Sequence, residues 1–412
     1  MTFGHASSPR LGARRRAAAL SGVAALALVV TGCTSSTSNV SAETEAGETP
    51  APTETTPTSE AAISANVADK AKNVAVDTVV ELSVEDGTFE QVQATIGRSK
   101  KPLAGALSED GTTWTASGRL EPGVRYTLQS VAVDGEGIET TERRTFRTDA
   151  LTLDEQTYPS IAPLQGETVG VGMPVIVTFD VPVTDRATIE KHLSVETAPK
   201  VQGSWAWVSD TEVHWRPKKY WEPGTKVTVD ADINSVAAGN GIYGQMSRST
   251  SFKIGDAVFQ KIDLAKHRLR VFRNGNLLRT IPVTGGKAGF TTRSGIKVII
   301  EKTRMKVMDA STIGIQPGEA EYYNLDVPYA MRVTYSGEFV HGAPWSVGSQ
   351  GLENVSHGCV GMNMTNAAWL FDLAKRGDVV IVTGSNRKIE TGNGYTDWNK
   401  SFAEYQKGSA LS

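Results

Sequence analysis

Trp114 and the triplet Glu121-Pro122-Gly123 recur as Trp215 and Glu222-Pro223-Gly224, both displaced by 101 residues, so a large part of this 412-residue chain must fold as two copies of one unit. In each copy the Pro-Gly pair suits a tight turn, and an alternating run follows: Val124-Arg125-Tyr126-Thr127-Leu128 and Thr225-Lys226-Val227-Thr228-Val229. Each copy closes on a Phe-containing strand, Thr145-Phe146-Arg147 and Ser251-Phe252-Lys253. Strands at this spacing without helical periodicity indicate two immunoglobulin-like β-sandwiches, residues 68–149 and 150–253. Neither copy contains cysteine, so Trp114 and Trp215 are expected to anchor cores that no disulfide pins. His192 and His214 lack metal-ligand spacing and read as surface or strand residues; no metal site is expected.

The chain carries a net charge of -3, which offers no basic excess for a phosphate backbone and excludes nucleic acid as a natural partner. Its first 33 residues read as an export signal, with Arg10, Arg14, Arg15 and Arg16 before the apolar run Ala17 to Val30. That run ends in Val30-Thr31-Gly32-Cys33, which resembles the bacterial lipobox. The resemblance implies lipidation of Cys33 and an anchor on the outer face of the cell membrane. Residues 34–67 are rich in Ser, Thr, Ala, Pro and Glu and read as a disordered tether that separates the membrane from the first folded module. With Cys33 lipidated, the only other cysteine, Cys359, has no disulfide partner and is expected to be a free, reactive thiol in an exported protein.

A third, mostly-β module is expected over residues 254–384. Arg268 to Phe272, Asn274-Gly275-Asn276 and Leu278 to Val283 form a hairpin signature, and β character continues through Ile296 to Ile300 and Tyr329 to Thr334. The spacing of Asn366, Ala367, Trp369, Leu370 and Leu373 predicts a helix from Asn363 or Thr365 to Lys375, with Gly377 as its C-cap, before a last strand from Asp378 to Val382. His267 is expected on the surface of an outer strand. In the tail, residues 385–412, Trp398, Phe402 and Tyr405 follow Asp397 at helical spacing. A short helix capped by Asp397 should therefore dock its aromatic face on the third or the second β module.

Chemistry concentrates in the third module, where His341-Gly342-Ala343-Pro344-Trp345 precedes Ser356-His357-Gly358-Cys359. Attack on an amide carbonyl needs a thiolate, a base to make it and donors for the oxyanion. Cys359 supplies the thiol, His341 or His357 the base, and the consecutive N–H groups of His357, Gly358 and Cys359 could converge on one oxygen.

A histidine followed after a short interval by Ser-His-Gly-Cys resembles the signature of the L,D-transpeptidases. The lipobox, the tandem modules, Met308-Asp309-Ala310-Ser311-Thr312 and the tail resemble the actinobacterial, mycobacterial-type members with a YkuD-type catalytic domain. The resemblance implies that Cys359 is the nucleophile and His341 the base, with His357, Gly358 and Ser356 shaping the oxyanion loop. It implies that Tyr323, Ser336, Gly337 and Trp345 line the donor cleft, with Met308 and Tyr322 on a lid spanning Lys302 to Asp326. One position departs from the pattern: where such enzymes commonly show Arg or Asn, this chain has Gly361, which removes a side-chain contact to substrate. The implied reaction joins peptidoglycan stem peptides by 3→3 cross-links through a thioester, with no cofactor, and implies covalent inhibition by carbapenems. Two alternatives are an L,D-carboxypeptidase or cross-link hydrolase with water as acceptor, and a non-catalytic wall-binding lipoprotein.

Overall fold

The computed structural model describes residues 58–412, so the export signal, Cys33 and residues 34–57 of the tether lie outside the described residues. The expected tether boundary is corrected: Ala62–Ala65 pairs antiparallel with Glu81–Glu85, and Ala61 and Val67 are buried in the first core. Small residues serve an edge strand as readily as a coil, and composition alone does not separate the two.

The first sandwich packs a sheet of Ala62–Ala65, Glu81–Glu85, Thr113–Ala116 and Gly105–Leu107 against a five-stranded sheet whose long strands are Thr88–Ile96, Arg125–Val133 and Glu139–Thr148. Between them lie Trp114, Leu128 and the stacked pair Tyr126 and Phe146, centroids 5.0 Å apart. In the second sandwich, the sheet containing Val175–Phe179, Glu212–Pro217 and Gly203–Trp207 faces one containing Leu193–Ala198, Lys226–Ala231 and Arg248–Ile254.

The repeat inferred from Trp114 and Trp215 extends to a feature sequence did not expose. Gly105 pairs with Ala116, two residues past Trp114, and Gly203 pairs with Pro217, two past Trp215. In both copies the indole lies over the glycine, so that an added Cβ would fall 2.1 Å from the Trp114 ring and 2.0 Å from the Trp215 ring. Each tryptophan is a core anchor that needs a glycine beneath it.

The third domain holds two sheets. One orders Asn276–Pro282, Arg268–Arg273, Val258–Asp263, Val379–Thr383 and Gly295–Val298. The other orders Glu301–Asp309, Asn324–Arg332, Phe339–Gly342 and Val360–Met362, and its last pair is parallel. A shared core that includes Met331, Val340, Met362, Leu370 and Val380 binds both sheets to the helix Met364–Leu373. Asn363 caps that helix through the Asn366 N–H. The helix ends at Leu373 rather than Lys375, because the Asp378 carboxylate accepts the Lys375 N–H and turns the chain outward. Gly377 is required by a close approach instead of by capping: its φ is 92°, and a Cβ there would lie 2.6 Å from Met173 Cβ of the second sandwich. His267 sits in a turn, half-buried, with Nδ1 3.1 Å from Asn354 Oδ1, and not on an outer strand.

The second sandwich and the third domain share one core, which runs from Trp215 and Trp221 through Val298 and Val379. The Gly170 and Gly172 N–H groups donate to the Arg376 and Gly377 carbonyls, each at 2.8 Å.

The tail crosses both bodies. Asn399 bonds the Ile296 backbone of the third domain, and Trp398 Nε1 donates to the Gly172 carbonyl of the sandwich at 2.7 Å. The aromatic face is present but not as one helix: Trp398 lies in the turn Asp397–Asn399, and a separate helix, Phe402–Gln406, starts at a Ser401 cap. All three aromatics surround the buried Arg216 guanidinium, 4.7, 5.5 and 4.4 Å from the Trp398, Phe402 and Tyr405 centroids. Asp397 is consequently no cap but a buried partner of His214, which corrects the reading of His214 as a surface residue while leaving it on a strand.

Candidate active site

Val360–Met362 lies between two neighbours: Phe339–Gly342 pairs with it in parallel on one side, and Thr284 bridges Gly361 on the other by bonds of 3.0 and 2.9 Å. Because His341 is opposite Gly361, and Cys359 stands two residues before Gly361, His341 and Cys359 project from the same face of the sheet. Both border a pocket of about 250 Å3, together with Met308, Tyr323, Trp345, Ser356, His357 and Gly361.

His341 is buried, and its Nδ1 lies 2.7 Å from the Gly342 carbonyl. A carbonyl only accepts, so Nδ1 carries the proton and Nε2 is left as the basic atom. Burial lowers the imidazole to about 4, against the partial support of that hydrogen bond, so at neutral pH the ring is uncharged and able to take a proton. Trp345 stacks 6.0 Å from it. The Cys359 thiol is half-buried and points its hydrogen at the Gly337 carbonyl, 3.6 Å away. Burial pushes it up to about 11, so the resting pair is neutral thiol and neutral imidazole.

The loop before Cys359 is held by its own serine. Ser356 Oγ donates to the Cys359 carbonyl at 2.6 Å and accepts the Gly358 N–H at 3.1 Å. This corrects the expectation that three consecutive N–H groups are aimed at one oxygen, since the Gly358 donor is already used. Gly358 adopts a φ of 124°, a conformation that glycine alone adopts readily.

His357 faces the lid. Its Nε2–H donates to Glu321 at 2.7 Å, its ring meets Phe290 and Tyr323 at 4.5 and 4.9 Å, and Glu321 also pairs with Lys287 at 2.6 Å. The Lys287 and His357 contacts hold the Glu321 carboxyl below its usual range. The segment expected as a lid, Lys302 to Asp326, lies within the hairpin of Glu301–Asp309 and Asn324–Arg332 and its connecting loop, and its Met308 and Tyr323 line the pocket. Tyr322 stands on that loop outside the pocket lining, and Ser336 turns away to Asn393, with bonds of 2.9 Å in both directions. Gly337 touches the site only through its carbonyl.

Two residues that sequence reasoning missed, Lys297 and Glu338, form a buried ion pair behind Gly358. Lys297 is a lone charge inside the strand Gly295–Val298 and Glu338 stands in the turn before Phe339, so neither gives a periodic signal that would have marked it.

Comparison with known proteins gives the family of the chain. A model of the bacterial Ig domain matches residues 71–237 in one span, and a model of the L,D-transpeptidase catalytic domain matches residues 259–382. The chain is 37% identical over 349 residues to L,D-transpeptidase 2 of Mycobacterium tuberculosis, covering 84% of this chain and 85% of that protein. It belongs to the L,D-transpeptidase family. A second relative, L,D-transpeptidase 1 of Mycobacterium tuberculosis, is 41% identical over 225 residues, 55% of this chain and 84% of that protein. A solved structure, LD transpeptidase LdtMt1 in complex with imipenem, is 40% identical and covers 54% of this chain and 97% of that one, with a TM-score of 0.48. As an L,D-transpeptidase the chain is an enzyme of peptidoglycan cross-linking, and the catalytic-domain match contains every residue from Met308 to Gly361 considered above.

Proposed function

We propose that this transpeptidase works as a cysteine acyltransferase that forms 3→3 cross-links through a Cys359 thioester. The observation that carries the reading is that a free thiol and the unprotonated Nε2 of His341 border one pocket from one sheet face. The thiol proton passes to His341 Nε2, and the sulfur attacks the carbonyl that follows the L-centre of diaminopimelate in a tetrapeptide stem. The imidazolium returns the proton to the departing D-alanine amine. An amine from a second stem then resolves the thioester, with His341 taking its proton. His357 and Cys359 N–H are the donors proposed for the oxyanion, and Tyr323, Trp345 and Met308 enclose the donor stem.

The same chemistry accounts for acylation by carbapenems, whose strained amide carbonyl meets the same thiol. Lipidation at Cys33, export and anchoring on the outer membrane face belong to this reading, supported by the arginines and the apolar run before Cys33. So does a role in cell shape. The deciding experiment compares muropeptides from cells carrying wild type or Cys359→Ala. Loss of 3→3 dimers with the thiol is expected, and their persistence would sink the proposal.

A further inference from the structure

Behind the nucleophile loop lies charge that the acyl-transfer scheme does not use. Lys297 and Glu338 are 1% and 4% exposed and bonded to one another, and neither borders the pocket. Arg293 adds its Nη1 and its own backbone N–H to Glu338 Oε1, each at 3.0 Å. Glu338 is joined directly to Gly337, whose carbonyl receives the thiol hydrogen, and a Cβ on Gly358 would lie 3.7 Å from Glu338 Cγ. The cluster therefore abuts the two peptides that flank the sulfur.

Fold stability does not explain it. Taking an ammonium and a carboxylate out of water costs several kcal/mol per ion, and apolar replacements of such pairs are often neutral or stabilising. The charges also do not cancel locally: two cations, Lys297 and Arg293, face the one buried carboxylate, while the other partner of Arg293, Glu390, is half in solvent.

We propose that Lys297, held in place by Glu338 and backed by Arg293, is a positioning residue that sets a buried cation behind Cys359, against the adjacent Glu338 carboxylate, and so favours the thiolate formed when the proton leaves for His341. The step is a proton transfer: the S–H bond breaks, its electron pair stays on sulfur, and the proton binds His341 Nε2. The inference rests on Cys359 being the nucleophile. The other ionisable groups around the sulfur are His341 on the paired strand, His357 with Glu321 and Lys287 beyond it, Tyr323 on the lid loop and Arg332 on the lid strand. Arg332 is already paired to Glu301 at 2.7 Å. Burial pushes the thiol up most, Glu338 adds to it, and Lys297 draws it down by less than Glu338 raises it.

That opposition supplies the test. In the full chain, the rate of Cys359 alkylation by iodoacetamide is measured between about pH 7 and 9, where it follows the thiolate fraction. Cys359→Ala serves as the blank, and melting is followed in parallel. Lys297→Met is expected to slow alkylation about tenfold, Arg293→Gln to slow it by a smaller factor, and Glu338→Gln to speed it several-fold, although Lys297→Met and Glu338→Gln break the same ion pair. A merely structural pair would move those two variants in the same direction, and that result, or unchanged rates, overturns the inference. If Lys297→Met does not fold, the opposed signs of Arg293→Gln and Glu338→Gln decide. Persistence of cross-linking in Cys359→Ala removes the nucleophile reading itself, whatever the alkylation rates are.

Discussion

His341 donates its Nδ1–H to the carbonyl of its neighbour Gly342 at 2.7 Å, so a backbone group, not an acidic side chain, leaves Nε2 as the basic nitrogen of the ring. With the ring lowered to about 4, the base stays unprotonated far below the ordinary histidine range. Acylation by a carbapenem is expected to be nearly flat with pH from about 6 to 9 and to fall only on approach to about 4. His341→Ala should reduce it by roughly 100-fold or more. Stopped-flow acylation across pH checks both, and a break near 6.5 would show that burial does not hold the ring neutral.

The contact between His357 and Glu321 ties the loop before Cys359 to the loop that carries Tyr323. Because the Glu321 side chain is 42% exposed, the contact is screened by solvent and contributes little to folding, and Glu321→Ala should leave the melting temperature unchanged within about a degree. What it should alter is access: the second-order acylation rate changes several-fold while alkylation by a small reagent does not. Equal effects on both reagents would place the defect at the sulfur, not at the lid.

Gly361, the departure from the family pattern, is enclosed. A Cβ there would lie 2.8 Å from Ala343 Cβ and 3.3 Å from Thr284 Cγ2. Gly361→Asn therefore restores no simple substrate contact. It is expected to force the strand apart at a cost of about 1 to 3 kcal/mol and to lower acylation, both readable by urea unfolding and adduct mass. A variant as stable as wild type and faster would show that the wall yields.

The tandem modules, the catalytic hairpin and the site were legible in sequence because each leaves a local mark: a turn pair repeated at fixed offset, an Asn-Gly turn, a cysteine beside two histidines. What was not legible arises between distant segments. His214 and Asp397 are 183 residues apart, and nothing near either announces the other. Lys297 and Glu338 meet only because the strand Gly295–Val298 comes beside the turn before Phe339, and the tether boundary moved because Ala62–Ala65 gains its identity from its partner strand. The glycines under Trp114 and Trp215 belong to the same class, visible only once strand register is known.

Those glycines give a paired test of the repeat. Gly105→Ala and Gly203→Ala place a methyl within about 2 Å of an indole, so each should destabilise by about 1 to 3 kcal/mol. Gly203→Ala should lower the melting of the second sandwich and catalytic domain together, because one core runs through both. Gly105→Ala should act on the first sandwich alone. Proteolysis mapped by mass spectrometry separates the two outcomes, and identical fragment patterns would contradict the shared core.

The tail carries a pH dependence with a defined sign. Burial opposes charge on His214, but the Asp397 carboxylate at 2.9 Å and Glu212 at 2.9 Å outweigh it and raise the imidazole from 6.5 to about 9. The folded state therefore prefers the protonated ring. Its stabilisation is complete below 6.5 and is lost as pH rises through about 9, a contribution on the order of 3 kcal/mol. His214→Gln should unfold at lower urea than wild type at about pH 6, and the gap should close by about pH 10. Asp397→Asn should remove most of the same dependence while leaving the Tyr405 hydroxyl bonded to the His214 carbonyl. A difference between wild type and His214→Gln that grows with pH would reverse the sign of the coupling and show that the buried ring is neutral in the fold.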